Sequence, residues 1–144
     1  MVKENLKNYK KHLNKLVTLA NSFGVTVEFK PELDDGIYIP SKRKIRIDDD
    51  MTQTETIATL LHEIGHLLDD VANVDVNVTS MSKAYKAVYH GRPTKLQKVV
   101  VVNCEIRAWL IGSALAKNLK INLGSWYDVH MASALNSYLD VKCR

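Results

Sequence analysis

Residues 57–71 constrain this chain more than any other stretch. Ile57, Leu60, Leu61, Ile64, Leu67, Leu68 and Val71 recur at the spacing of one helix face, a period no strand can satisfy. On that helix His62 and His66 stand one turn apart, one above the other, so both imidazoles can reach a single metal ion. At the helical angle per residue they project almost opposite the apolar stripe, with Glu63 at its border. Two histidines serving as hydrogen-bonded core residues would fall inside the stripe. Their position outside it predicts a helix with its back on a core and its histidines over a cleft.

A Glu directly after the first histidine adds a carboxylate that can take a proton from a metal-activated water. His62-Glu63-x-x-His66 is the pattern that zinc-dependent proteases use. A catalytic zinc takes three protein ligands and keeps one position open, so the pair needs a partner. Asp69, Asp70, His90, Glu105, His130 and His12 are the candidates. Glu105 has the strongest physical case. The segment 95–118 is apolar almost all round, which predicts a buried central helix. Glu105 projects among Val101, Val102, Ala108, Trp109 and Gly112, where an ionised carboxylate costs several kcal/mol unless it is paired. Arg107 points away from it and Lys98 is two turns off; a metal would resolve the conflict. Asp69 is better placed as an outer partner of a ligand, and Asp70 as a surface residue. His90 lies in a Gly-Arg-Pro loop. His130, Tyr127 and Tyr138 are candidates for stabilising a transition-state oxyanion, although core or surface roles suit each of them better. Cys104 lies about a quarter-turn round the helix from Glu105, which argues against a zinc thiolate, and both tryptophans read as packing residues.

The remainder of the chain supplies the scaffold. Residues 3–22 form a first helix with Leu6, Tyr9, Leu13, Leu16, Val17 and Ala20 on one face and His12 on the exposed side, closed at Gly24. Val25, Val27 and Phe29 alternate with polar residues. A turn over 31–36 leads to Ile37-Tyr38-Ile39, and a tight turn at Pro40-Ser41-Lys42 leads to Lys44–Asp48. These read as a three-stranded antiparallel sheet whose apolar face the 57–71 helix covers. Asp48-Asp49-Asp50 reads as negative charge ahead of a helix N-terminus and not as a calcium cluster, and Thr52-Gln53-Thr54-Glu55 as a capping box. Residues 73–79 read as loop in preference to strand. Ser80 or Ser82 would cap a short helix ending at His90-Gly91. Thr94-Lys95-Leu96-Gln97 is a second capping box opening a helix to about Leu119, and Ser125 would cap a last helix.

One domain over residues 1–144 fits this length, enough to bury roughly two-thirds of its surface without staples. Hydrophobic residues make up 46% and charged residues 25%, which excludes a disordered or fibrous chain. There is no run of 18 apolar residues, so no membrane span is expected, and residues 1–7 lack the apolar core of a secretory signal. Cys104 and Cys143 make no disulfide framework, which points to a cytoplasmic protein. The net charge of +4 gathers at Lys3, Lys7, Lys10, Lys11 and Lys15. Without arginine–aromatic interleaving, these read as a solvated helix face and not as a nucleic-acid surface.

Leu61-His62-Glu63-Ile64-Gly65-His66, followed 39 residues later by Glu105-Ile106-Arg107-Ala108, resembles the gluzincin zinc metallopeptidases. Within them it is similar to the small ImmA/IrrE-like domains of bacteria and their mobile elements. The resemblance implies a zincin-like α+β domain holding one zinc ion through His62, His66 and Glu105. In the implied mechanism Glu63 is the general base: it accepts a proton from a zinc-acidified water and passes it to the leaving amine. The implied partner is a protein or peptide substrate, which could add to a sheet edge at Ile45-Arg46-Ile47. Repressor-cleaving members often carry Asn after the alanine and a further domain; here Trp109 follows Ala108, as in short phage-type relatives. The rival reading is a latent zinc-containing module that binds a regulator protein or nucleic acid. An intact Glu63 argues against it.

Overall fold

The computed structural model describes residues 6–31, 36–72 and 78–144, apart from the side chains of 78–80. α1 (Tyr9–Ser22) starts later than the 3–22 periodicity predicts. Asn8 adopts a left-handed conformation, φ 62°, which a right-handed helix cannot propagate through; residues 3–5 of the expected helix lie outside the described residues. The expected stop holds. Gly24, at φ 74°, donates its N–H to Asn21 O, and Val25 donates to Ala20 O, satisfying carbonyls the helix leaves open.

β1 (Thr26–Lys30), β2 (Gly36–Ile39) and β3 (Lys44–Asp48) form one sheet in the order β1-β3-β2. β2 and β3 make the expected antiparallel pair across a 3₁₀ turn at Pro40–Lys42. β1, however, runs parallel to β3, with Val27 opposite Ile45 and Phe29 opposite Ile47. The sheet is therefore mixed, not antiparallel. Parallel neighbours need a long crossover, and here the chain between β1 and β3, with β2 in it, serves as one; period-two alternation carries no information about strand direction. A second correction follows. β3 is the central strand, with Ile45 and Ile47 wholly buried, so Ile45-Arg46-Ile47 is not an open edge. Of the expected turn over 31–36, residues 32–35 lie outside the described residues.

α2 (Gln53–Ala72) opens on the predicted capping box. The Glu55 N–H donates to Thr52 Oγ1 at 3.3 Å, and the Thr52 N–H donates to Glu55 Oε2 at 3.2 Å. Just ahead of it the Asp50 N–H donates to Asp48 Oδ1. α3 (Val78–His90) begins before Ser80 and Ser82, so neither caps it. Val78 and Thr79 are helical; the rest of the 73–79 stretch, through residue 77, lies outside the described residues. α4 (Lys95–Asn118) carries the second capping box, with both Thr94–Gln97 hydrogen bonds formed, and the Val99–Val102 run is helical as expected. α5 (Ser125–Leu139) is preceded by an extended Gly124. This puts Ser125 inside the first turn, and no side chain caps the helix as Ser125 was expected to.

α2 and not α4 is the central helix. The sheet, α1, α4 and α5 all pack on it. Ile57, Leu60, Leu61 and Ile64 are fully buried, each contributing about 1.5–3 kcal/mol of transfer free energy. α4 buries Val101, Cys104, Glu105, Ala108, Trp109, Gly112 and Ala116 but exposes Leu96, Val99 and Leu110. It is the one described helix long and apolar enough to cross a membrane, and its small-residue stripe is the one that meets α2. His12, expected to be exposed, is only 7% exposed; it stands one turn before Leu16 on the face that α1 buries. A smaller cluster of Ala84, Val88 and Val101, with Tyr85, Tyr138 and Val141 around it, holds α3 against α4.

Candidate metal centre

The site begins with residues that have almost no side chain. A Cβ added to Gly65 would lie 2.1 Å from Ala108 O, and one added to Gly112 would lie 2.8 Å from Leu61 O. α2 and α4 therefore touch backbone to backbone, with Gly65 facing Ala108 and Leu61 facing Gly112. Glu105 is one turn ahead of Ala108 on the same face of α4. The crossing sets it against His62 and His66, which flank Gly65.

The result is a triangle of donor atoms. His62 Nε2 lies 3.2 Å from His66 Nε2 and 2.9 Å from Glu105 Oε2, and His66 Nε2 lies 3.2 Å from Glu105 Oε1. Among the described residues, His62, His66 and Glu105 are the group whose ligand atoms all fall within 4.8 Å of one another. Atoms bound 2.0–2.1 Å from a tetrahedral zinc stand about 3.3 Å apart, so three spacings near 3 Å fit such an ion. The chemistry also fits: two imidazoles and a carboxylate are a zinc donor set, and His62 turns Nε2 into the triangle while its buried Nδ1 has no partner among the described residues. His12, Asp69, Asp70, His90 and His130 lie outside the group.

The charges reinforce one another. Burial disfavours a charged His66. Its hydrogen bonds to Cys104 and Glu105, with the negative charge of Glu105 and Glu63, outweigh that and push its pKa up to about 10. Burial likewise works against ionised Glu105, but hydrogen bonds from His62 and His66 hold its carboxyl well below the usual range. Glu105 is 3% exposed, so the half-exposed alternative is excluded.

No family model, curated protein or solved structure matches this chain.

Around the triangle stand Glu63, as the spacing predicts, and residues that spacing alone had not connected to it. Glu63 Oε1 is 3.9 Å from His62 Nε2, with Glu63 itself 6% exposed. Tyr85 on α3 donates its hydroxyl to Glu105 Oε1 at 2.8 Å. Its phenol is held far above the ordinary range by burial and then by the Glu105 charge, so it remains a donor. Nothing in the sequence linked Tyr85 to Glu105, because the contact depends on how α3 docks. Cys104 was placed away from the metal by its angle on α4. It lies within hydrogen-bonding reach of His66 and Tyr85, yet outside the three-donor group. Trp109 packs as expected, and also stacks on His62 with ring centroids 4.3 Å apart at 24°.

Other expectations change. Asp69 is buried and engages Arg107, whose Nε and Nη2 donate to it at 3.1–3.3 Å. Tyr127 donates to Trp109 O at 2.6 Å, so its hydroxyl is spent on packing. Tyr138 shares a 2.6 Å hydroxyl contact with Tyr89. Its pKa is raised by burial and then by the negative charge of Glu105, with Glu63 adding to it. α4 packs over the histidine side of α2, where a cleft was expected, and His62 is 8% exposed. Surface hollows lie along Lys11, Lys15 and Leu119, about 800 Å³, and at Lys83, Lys86 and His90, about 360 Å³.

Proposed function

We propose that this chain is a zinc metallopeptidase that hydrolyses peptide bonds of a protein or peptide substrate. The observation that carries the reading is the donor triangle of His62, His66 and Glu105 with the Glu63 carboxylate beside it. His62 Nε2, His66 Nε2 and the Glu105 carboxylate would hold one zinc ion. The ion, when bound, supplies Lewis acidity toward a carbonyl oxygen and makes water more acidic. Glu63 is the general base: it takes the proton of the attacking water on its carboxylate and returns it to the leaving amine. Trp109 and Tyr85 hold one ligand each in place, and burial keeps bulk water from competing for the site.

The substrate strand is assigned to β2, since β3 is enclosed. β2 pairs with β3 along one side only, among the described residues. It follows α2 past the ligands: a Cβ on Gly36 would meet Thr59, and the Tyr38 hydroxyl reaches Asp70 at 3.4 Å. An extended peptide added to that edge would run beside the metal. The motifs His62-Glu63-x-x-His66 and Glu105-x-x-Ala108 further support placing the chain with the ImmA/IrrE-like metallopeptidases.

One observation favours a second reading, a zinc-holding module without turnover that binds a regulator protein. Glu63 and all three donors are largely buried, as in a structural site. Replacing Glu63 by Gln separates the two. For an enzyme, Glu63→Gln keeps stoichiometric zinc by elemental analysis and loses peptide hydrolysis by a factor of about 10²–10⁴. Zinc-loaded wild type that cleaves nothing in a proteome-derived peptide library sinks the peptidase. A chain that folds normally in chelator and takes up no zinc sinks both.

A further inference from the structure

Glu105 offers a metal two oxygens on a torsion with little preference of its own. The last χ angle of a glutamate is broad and roughly two-fold, and a residue 3% exposed has no solvent to set it. The two oxygens nevertheless have distinct surroundings. Oε2 faces His62 Nε2 at 2.9 Å, whereas Oε1 faces His66 Nε2 at 3.2 Å and accepts the Tyr85 hydroxyl at 2.8 Å. Tyr85 comes from α3, which contributes no donor to the triangle. It stacks on Tyr89, one turn further on, with centroids 6.0 Å apart, and sits over the small core of Ala84, Val88 and Val101. The phenol is thus anchored by packing independent of the metal site, and its hydroxyl reaches into that site.

We infer that Tyr85 is a positioning residue for Glu105, fixing the carboxylate so that it meets the metal in one orientation. The inference rests on the metal reading and extends it to α3. Tyr85 fills one acceptor position of Oε1 and stops the carboxylate from rotating away from the two imidazoles. Outer partners of metal ligands act in this way, and their loss typically weakens metal binding 10–100-fold. Tyr89, whose hydroxyl meets Tyr138 at 2.6 Å, is an internal comparison on the same helix face. That hydroxyl ties α3 to α5, and removing it alone keeps the ring on which Tyr85 stacks.

The test uses the full chain, stripped of metal and titrated with Co²⁺ alone and then with Zn²⁺ against a chelator. Tyr85→Phe keeps the ring and removes the hydroxyl. It should weaken binding by about 10–100-fold and alter the visible absorption of bound Co²⁺, which reports ligand arrangement. Tyr89→Phe should change affinity less than about threefold and leave the spectrum as in wild type. Equal affinity and an unchanged spectrum in Tyr85→Phe overturn the inference. So does an equal loss in both variants, which would mean that a loosened α3 is responsible. Wild type that binds neither ion overturns the metal reading itself, an outcome distinct from either.

Discussion

Trp109 shows how a single side chain serves both core and site. Its indole is buried, its carbonyl accepts the Tyr127 hydroxyl, and its face lies on the His62 ring. Metal-bound histidines usually donate their other ring nitrogen to an acceptor, but His62 Nδ1 has none among the described residues. The stack is then what fixes the ring plane, and the indole face suits an imidazole that gains positive character on binding a cation. Trp109 emission should therefore be quenched when Co²⁺ binds. In Trp109→Phe most of that quench should vanish while Co²⁺ still binds, because Trp126 remains as the only indole. A full quench in the variant would mean that Trp126 reports the site instead. Glu105→Ala acts differently. Breaking a buried pair costs about 3–5 kcal/mol when a charge is left stranded, but His66 can shed its proton, so the loss in metal-free protein should fall below that. The accompanying sign is a His66 pKa that drops from about 10 toward its ordinary value, readable by NMR titration of the ring.

At the scale of elements, the α2–α4 crossing decides whether a site exists at all. Gly65→Ala must push Ala108 and α4 away, since the new Cβ would sit 2.1 Å from a backbone oxygen. Overpacking of this kind costs about 1–3 kcal/mol, and it moves Glu105 away from the histidines, so metal affinity should fall with stability. Gly91→Ala, where the nearest atom would be 3.5 Å away, should stay within about 0.5 kcal/mol of wild type in chemical denaturation. If Gly65→Ala were equally silent, the two helices would not be locked at this distance. Much of this geometry was legible in the sequence. The helical period of 57–71, the two capping boxes and the stranded carboxylate at Glu105 are local signals, and each met its structural counterpart. What was not legible is relational. The parallel pairing of β1 with β3, the covering of the histidines by α4 and the reach of Tyr85 from α3 depend on docking, to which periodicity within one segment is blind. His12 went wrong for a different reason: it stands at i, i+4 and i+8 with Leu16 and Ala20, the residues that α1 buries, so its place on the buried face was legible within α1 itself.

For the whole molecule, the triangle couples folding, protons and metal in opposite senses, which gives a test that needs no substrate. His66 carries a folded-state pKa of about 10 against an ordinary 6.5. Without metal the folded chain therefore holds a proton that the unfolded chain releases above 6.5. Stability from this group is fully present below pH 6.5 and is lost as pH rises through about 10. Glu105 is depressed, so its contribution is present above the ordinary carboxylate value near 4.5 and is lost as pH falls below that. Metal-free protein should accordingly be most stable between about pH 4.5 and 6.5, with its denaturation midpoint falling as pH rises from 6.5 toward 10. Metal cancels the slope. The imidazoles must be deprotonated to bind it, so affinity increases over the same range, and at fixed free zinc the stabilisation of RT ln(1 + [Zn²⁺]/Kd) increases with it. Lysines and exposed tyrosines also titrate near pH 10, so the informative quantity is the difference between wild type and His66→Gln. That difference should shrink as pH rises from 6.5 toward 10 in chelator and stay level over the same range in zinc. Parallel curves in the two conditions would mean that the proton and the metal do not compete for His66, and the triangle would then not be a metal centre.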